Sequence, residues 1–414
     1  MKNLVGACVF AQSGGPTSVI NSSAAGVFME ALQQGNITEV YGAIHGIRGV
    51  LDENFYDIRK EDEKELELLK YTPSSALGSV RYKLKDFTVD KTDYERILEV
   101  FKKYNVRYFF YNGGNDSMDT CNKISKFMKN SGWDCNVIGV PKTIDNDLYG
   151  TDHCPGYASA AKYVATTMSE LALDAKVYDT GMCCIVEAMG RNAGWITASA
   201  VLSNINSHSV DLIYLPEVPF DMDKFVDDVK TVLEKNNNQC IVVVSEGIKF
   251  ADGKYVGEFQ TSTTDLFGHA QLGGVCGLLA GVIKQRIGIK TRAIEFSLMQ
   301  RCGAHLASRV DVEEACQAGR EAVKAAVSGD TDKMVVYERV EGDEYKINYK
   351  LMPLELAANT EKAFPIEWII NDGTGVSKEF IDYCLPLIQG DAKAPLENGL
   401  PRFAKLKKVR VEKK

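Results

Sequence analysis

Two short loops in this chain set glycines beside carboxylates directly after strand-like runs. Gly113-Gly114-Asn115-Asp116-Ser117 follows Arg107-Tyr108-Phe109-Phe110-Tyr111, and Pro141-Lys142-Thr143-Ile144-Asp145-Asn146-Asp147 follows Val137-Ile138-Gly139-Val140. Paired glycines let backbone N–H groups come close to a phosphate. Neighbouring carboxylates can hold a metal ion or take a proton. The combination suits phosphoryl transfer, where positioning and charge neutralisation supply most of the catalysis. A sugar hydroxyl is a poor nucleophile until its proton is accepted. Asp145 can accept that proton, Asp147 can orient the base or help hold magnesium, and Lys142 can neutralise charge on the moving group. A plain turn would explain the composition of the Gly113 loop, but not its place at the end of a strand.

Other unusual residues fall at equivalent places. Gln12-Ser13-Gly14-Gly15 follows the apolar run Val5 to Phe10, Met189-Gly190-Arg191 comes shortly after Met182 to Val186, and Ser245-Glu246-Gly247 follows Ile241 to Val244. The Gly14-Gly15 turn is not a Walker A loop, because no Gly-Lys-Ser/Thr follows, and it lacks the third glycine of the dinucleotide fingerprint. Glu246 ends a very apolar strand, where a carboxylate can accept hydrogen bonds from sugar hydroxyls. Arg191, Arg292 and Arg301 are candidate phosphate anchors, although any one of them alone reads as a surface arginine.

The elements that must position these residues alternate between short apolar runs and amphipathic stretches. Strands are expected at Val5 to Phe10, Arg107 to Tyr111, Val137 to Val140, Met182 to Val186, Leu212 to Leu215 and Ile241 to Val244. Helices are expected over Asn21 to Leu32, along the face Ile97, Leu98, Phe101 and Tyr104, and along Phe225, Val226, Val229, Val232 and Leu233. Thr92 and Glu95 have capping-box spacing. The pattern predicts mostly parallel sheets with helices on both faces, whose ligands bind beyond the carboxyl ends of the strands. The charge-rich stretch Asp52 to Lys70 reads as a solvated helix, and the basic tail Arg402 to Lys414 as a solvated terminus.

A chain of 414 residues is long enough for two domains. A net charge of -8 speaks against nucleic acid as a partner. The 11 cysteines show no paired metal-ligand spacing, and His153-Cys154 stands alone, so zinc is not expected. The cysteines read as reduced and buried, which implies a cytoplasmic protein. No run approaches the length of a membrane span, and no signal peptide is visible.

Taken together, these segments resemble the phosphofructokinase family and, within it, the pyrophosphate-dependent branch. The resemblance runs from Gln12-Ser13-Gly14-Gly15-Pro16-Thr17 to Met299-Gln300-Arg301, and it includes Gly78-Ser79-Val80-Arg81 and Pro216-Glu217-Val218. It implies an α/β fold of two Rossmann-like parallel-sheet domains with helices on both faces and the active site in the cleft between them. The expected domains are a phosphoryl-donor domain over 1–150 with a return segment at about 300–330, a sugar-phosphate domain over 151–300, and a C-terminal extension of unknown role over 331–414. The donor would rest on Gly14, Gly15, Gly113, Gly114 and Ser117, and Arg81 would touch the transferring phosphate. Thr143 and Asp145 would meet the primary hydroxyl of fructose 6-phosphate. Met189, Gly190, Arg191, Glu246, Leu298 and Arg301 would line the sugar pocket, and Arg292 would reach it from the same or a neighbouring subunit. Mg2+ is the implied cofactor, with Asn115 a candidate ligand, and a homodimer or homotetramer is the implied assembly.

The resemblance also bears on the donor. ATP-using members carry glycine at the position of Asp116 and lack a lysine at that of Lys142. A carboxylate there would meet the α-phosphate of ATP, and two unit charges about 4 Å apart at an effective dielectric near 20 repel by roughly 4 kcal/mol. Pyrophosphate has no third phosphate and escapes this clash. Three positions depart from the commoner family pattern. Asn115 replaces an aspartate, Met182 replaces an arginine that reaches across subunits, and Leu298 replaces a histidine or tyrosine. The rival expectations are an ATP-dependent kinase of the same fold, a non-catalytic regulatory subunit, and a different acceptor such as sedoheptulose 7-phosphate.

Overall fold

The computed structural model describes residues 4–177, 179–257, 274–342, 344–358 and 360–414. The chain divides into two compact units. The first comprises Met1–Ser159, Ala304–Lys362 and Gly390–Lys414, and the second Ala160–Gly303 and Ala363–Gln389.

The first unit is built on a seven-stranded sheet. Its strands β1 (Gly6–Gln12), β2 (Ile37–Ala43), β3 (Phe55–Asp57), β4 (Val106–Gly113) and β5 (Asn136–Pro141) come first in the chain. The second unit then contributes β6 (Met182–Ala188), β7 (Leu212–Tyr214), β8 (Gln239–Ser245) and β9 (Lys290–Glu295). Finally β10 (Lys333–Arg339) and β11 (Ile347–Pro353) return to the first sheet. Its order is β11-β10-β5-β4-β1-β2-β3. The edges β3 and β11 are antiparallel to their neighbours, and the interior pairs are parallel. The second sheet, β7-β8-β6-β9, is parallel throughout.

Parallel strands covered on both faces must be apolar on both, and β1 is buried along its whole length. Its Ala7, Val9 and Ala11 enter one core cluster, while Cys8 and Phe10 enter another on the opposite face. The Thr92–Lys103 and Asn115–Asn130 helices cover the first face. The Ile20–Gln33 and Arg309–Val327 helices cover the second.

Several local expectations change. Thr92 is the first helical residue rather than the cap, and its N–H donates to Asp90 Oδ1 at 3.0 Å. The Asp52 to Lys70 stretch is not one solvated helix. It contains β3 and the short Glu63–Leu68 helix, because Ile58, Leu66 and Leu69 are core residues. The tail is not a solvated terminus either: it lies along that acidic stretch. Asp57 N donates to Val409 O and Val411 N to Phe55 O, both at 2.9 Å, and Lys407 N and Lys408 N donate to Glu61 at 2.6 and 2.7 Å. Nor is 331–414 a separate extension, since β10 and β11 complete the first sheet and 363–389 joins the second unit. Ten of the 11 cysteines are buried free thiols, and Cys302 is exposed. No helix among the described residues is long and apolar enough to cross a membrane.

Candidate active site

Sheet register decides which loops become neighbours. In the first unit Gln12 pairs with Asn112, and Asn112 with Val140, so β1, β4 and β5 end level with one another. The loops beginning at Ser13, Gly114 and Lys142 therefore leave the sheet side by side. β1 leads on to β2 on one side, while the chain resumes at β4 on the other. That reversal of strand order is where open parallel sheets place their ligands.

Side chains tie the three loops together. Gln12 is fully buried, donates to Asn21 Oδ1 at 2.9 Å and accepts from Leu77 N at 3.0 Å. This draws in the irregular segment before the Thr92–Lys103 helix that carries Gly78 to Arg81. Ser79 Oγ donates to Gly14 O at 2.6 Å. Gly14 has φ +75, and a Cβ there would sit 3.3 Å from Lys142 Nζ. Lys142, only 4% exposed, donates from Nζ to Gly15 O at 2.7 Å. The structure thus brings Lys142 to the Gly14-Gly15 turn although the two are 127 residues apart. A Cβ on Gly113 would lie 2.0 Å from Ser117 Oγ, so only glycine fits. Gly114 caps the Asn115–Asn130 helix, whose first N–H groups have no intrahelical acceptor and face where an anion would bind. Arg81 is exposed.

The carboxylates are arranged unequally. Asp145 N donates to Thr143 Oγ1 at 3.1 Å, and Thr143 pairs with Gly156 in a parallel bridge. Asn115 Nδ2 donates to Asp147 Oδ2 at 3.0 Å. Oδ1 of Asn115 and Oδ1 of Asp147 are both buried without a hydrogen-bond partner. Burial, reinforced by the charges of Asp145 and Glu361, pushes Asp147 up to about 7. Two orphaned oxygens, one a carboxylate held back from ionising, are what a hard divalent cation would satisfy, so the residues present fit magnesium. Asp116 lies in a cleft of about 800 Å³ lined also by Lys83, Asn115, Lys123, Lys126 and Glu361. Its side chain is 66% exposed and faces Lys83 Nζ at 3.7 Å. Solvent and Lys83 therefore weaken the repulsion expected from Asp116, toward the roughly 1 kcal/mol of two charges about 4 Å apart in water. The space the side chain takes then counts for as much as its charge.

His153 is not a residue without partners. It is buried, with Nδ1 2.7 Å from Asp152 Oδ1 and Nε2 2.7 Å from Glu314 Oε2. Burial lowers its proton affinity, but the Glu314 charge and the hydrogen bonds of Asp152 and Glu314 outweigh this and hold it at about 9. Tyr345 donates to Glu314 at 2.6 Å and Arg339 to Asp152 at 2.9 Å. These contacts fix the end of the carboxylate loop from behind.

The second unit repeats the register argument. Ala188 pairs with Ser245 and Glu187 with Glu295, so the loops at Met189, Glu246 and Phe296 emerge together. Gly190 N donates to Glu246 Oε1 at 3.4 Å, and Met189 N donates to Gln300 Oε1 at 3.1 Å. Burial and the neighbouring Glu187 raise Glu246, while Arg191 and Arg301 pull it down. Met189, Gly190, Arg191, Glu246 and Arg301 are thus one cluster. Leu298 is 54% exposed beside it, and Arg301 N donates to Leu298 O at 3.2 Å. Arg292 is elsewhere: it pairs with Cys184 in mid-strand on the edge strand β9 and is exposed. Gln300, buried and bridging Met189 N to Ser297 O, joins this cluster without a local sequence signal. Glu361 and Lys362 had no signal at all, since their contacts are with residues more than 200 positions away. Among the described residues, Glu187, Cys276 and Glu295 also stand close enough to share an ion. The backbone N–H of Cys276 already occupies Glu187 at 3.0 Å.

A family profile described as Phosphofructokinase matches residues 7–326. The pyrophosphate--fructose 6-phosphate 1-phosphotransferase of Halomonas elongata is 42% identical, over 98% of this chain and 97% of its own length. The protein of the same name from Xanthomonas campestris pv. campestris is 44% identical, over 99% and 98%. The crystal structure of a pyrophosphate-dependent phosphofructokinase from Nitrosospira multiformis superposes with a TM-score of 0.90 at 39% identity, covering 99% of this chain and 98% of that one.

Proposed function

Because this chain belongs to the phosphofructokinase family, we propose that it catalyses reversible phosphoryl transfer from pyrophosphate to the 1-hydroxyl of fructose 6-phosphate, a glycolytic step. The observation that carries the donor assignment is the pair Asp116 and Lys142. Lys142 is buried against the Gly14-Gly15 turn, where a cation stabilises pyrophosphate and the phosphate that leaves. Asp116 stands in the first turn of the Asn115–Asn130 helix and lines a separate cleft with Lys83 and Asn115, where on this reading a nucleotide would need room for a third phosphate.

The donor phosphate rests on the Gly14-Gly15 and Gly113-Gly114 turns, on Ser117 and on the Asn115–Asn130 helix N-terminus. Arg81 meets the transferring group. Asp145 accepts the proton of the 1-hydroxyl, with Thr143 beside the same hydroxyl. Asn115 and Asp147 are the residues that hold magnesium, which supplies charge neutralisation on the phosphates. Met189, Gly190, Arg191 and Glu246 orient the sugar, and Arg301 takes the 6-phosphate, with Leu298 at its edge. Arg292, exposed on an edge strand, acts on a neighbouring subunit's sugar phosphate in a homo-oligomer. The buried thiols support a cytoplasmic setting.

A coupled assay of the purified protein with fructose 6-phosphate and Mg2+ tests this reading. Turnover with pyrophosphate and little with ATP is expected. ATP turnover without any response to pyrophosphate would sink it.

A further inference from the structure

Residues 360–362 lie in a stretch that carries no motif, yet they pair with the carboxylate loop. Lys362 N donates to Asp147 O at 2.7 Å, and Glu361 forms an antiparallel bridge with Leu148. Lys362 Nζ donates to Asp152 O at 2.6 Å and to Thr151 O at 3.3 Å, so its ammonium is spent on the loop itself. Consecutive side chains of extended backbone point to opposite sides. Lys362 turns into the loop, and Glu361 turns outward to the cleft lined by Asn115 and Asp116.

We propose that Glu361 is the second carboxylate of the divalent-cation site made by Asn115 and Asp147, acting through the water shell of the ion. This rests on the phosphotransferase reading above. Magnesium is held by one or two carboxylates and the substrate phosphates, and it keeps several of its waters. The Asn115 amide is neutral, so that residue and Asp147 together offer one negative charge. Their two Oδ1 atoms are buried without partners and are aligned by the Asn115–Asp147 hydrogen bond. Asp116 is badly placed to add the missing charge, because it faces Lys83. Glu361 has an exposed side chain in the same cleft, and its charge already bears on Asp147. A cation between them turns that repulsion into shared attraction. Lys362 is the positioning residue that holds Glu361 in register.

Mn2+ binding to the full-length protein, followed by the electron paramagnetic resonance of free Mn2+, tests this without turnover. It is measured with and without imidodiphosphate, a non-hydrolysable pyrophosphate analogue. Glu361→Gln is expected to raise the Mn2+ dissociation constant on the order of tenfold, with an unchanged melting temperature and partial recovery in Glu361→Asp. Lys362→Met is expected to weaken binding in the same direction. Parent-like Mn2+ affinity in Glu361→Gln, with binding lost in Asp147→Asn, would overturn the role of Glu361 and leave the phosphotransferase reading standing. Parent-like affinity in Asp147→Asn would remove the cation site from this loop altogether.

Discussion

Asp145 and Asp147 are two residues apart and have different surroundings. Asp147 is buried with its proton affinity raised, while Asp145 follows Thr143 at the start of the loop. General-base catalysis contributes about 10²–10⁴ in rate. Asp145→Asn is therefore expected to lower kcat by about that factor with little change in KM for fructose 6-phosphate, measured in the coupled assay. At the donor end, Asp116→Gly combined with Lys142→Gly removes both the obstructing side chain and the pyrophosphate cation. With Asp116 as exposed as it is, its repulsion lies between roughly 1 and 4 kcal/mol. The double variant should thus raise kcat/KM for ATP by about tenfold or more, since about 1.4 kcal/mol is a factor of ten, and lower it for pyrophosphate. Failure of ATP use to rise would remove Asp116 as the discriminating residue.

The elements behind the carboxylate loop form a buried charge network of Asp152, His153, Glu314 and Arg339. His153 has its folded pKa raised from 6.5 to about 9. Its contribution to stability is then fully present below about pH 6.5 and is lost as pH rises through about 9. The size is roughly 3 kcal/mol by linkage. Thermal melting of the parent should decline over that window, and His153→Gln should be less stable at pH 6.5 and show a flatter decline. A parallel decline in both proteins would place the titrating group elsewhere. At this scale the sequence indicated most elements with a continuous apolar run, such as β1, β4 and β8. It missed β2, β3, β9, β10 and β11, whose short runs are interrupted or flanked by charged and polar residues; β9 and β11 are in addition largely exposed at sheet edges.

At the scale of the whole molecule, the chain crosses between its two units several times, and each return completes something begun earlier. Glu65 accepts from Lys405 N at 2.5 Å and pairs with Arg402, whose hydrogen bond holds Glu65 below the usual carboxylate range. Removing residues 402–414 is expected to cost on the order of 2–5 kcal/mol, read as a lower melting temperature, and to expose the Phe55–Asp57 edge to proteolysis. An unchanged melting temperature would show the tail to be dispensable. Local chemistry was legible in the sequence because glycines, carboxylates and apolar runs act within a few residues of themselves. Those signals placed Gly14, Gly113, Asp145 and Glu246 at strand ends, and the family resemblance named their partners. Tertiary structure alone decided that Lys142 meets Gly15, that Asn115 meets Asp147, that Arg292 stays on an exposed edge, and that Lys362 anchors the carboxylate loop. Those outcomes depend on strand register and on contacts across 32 to 210 residues, which no local pattern encodes.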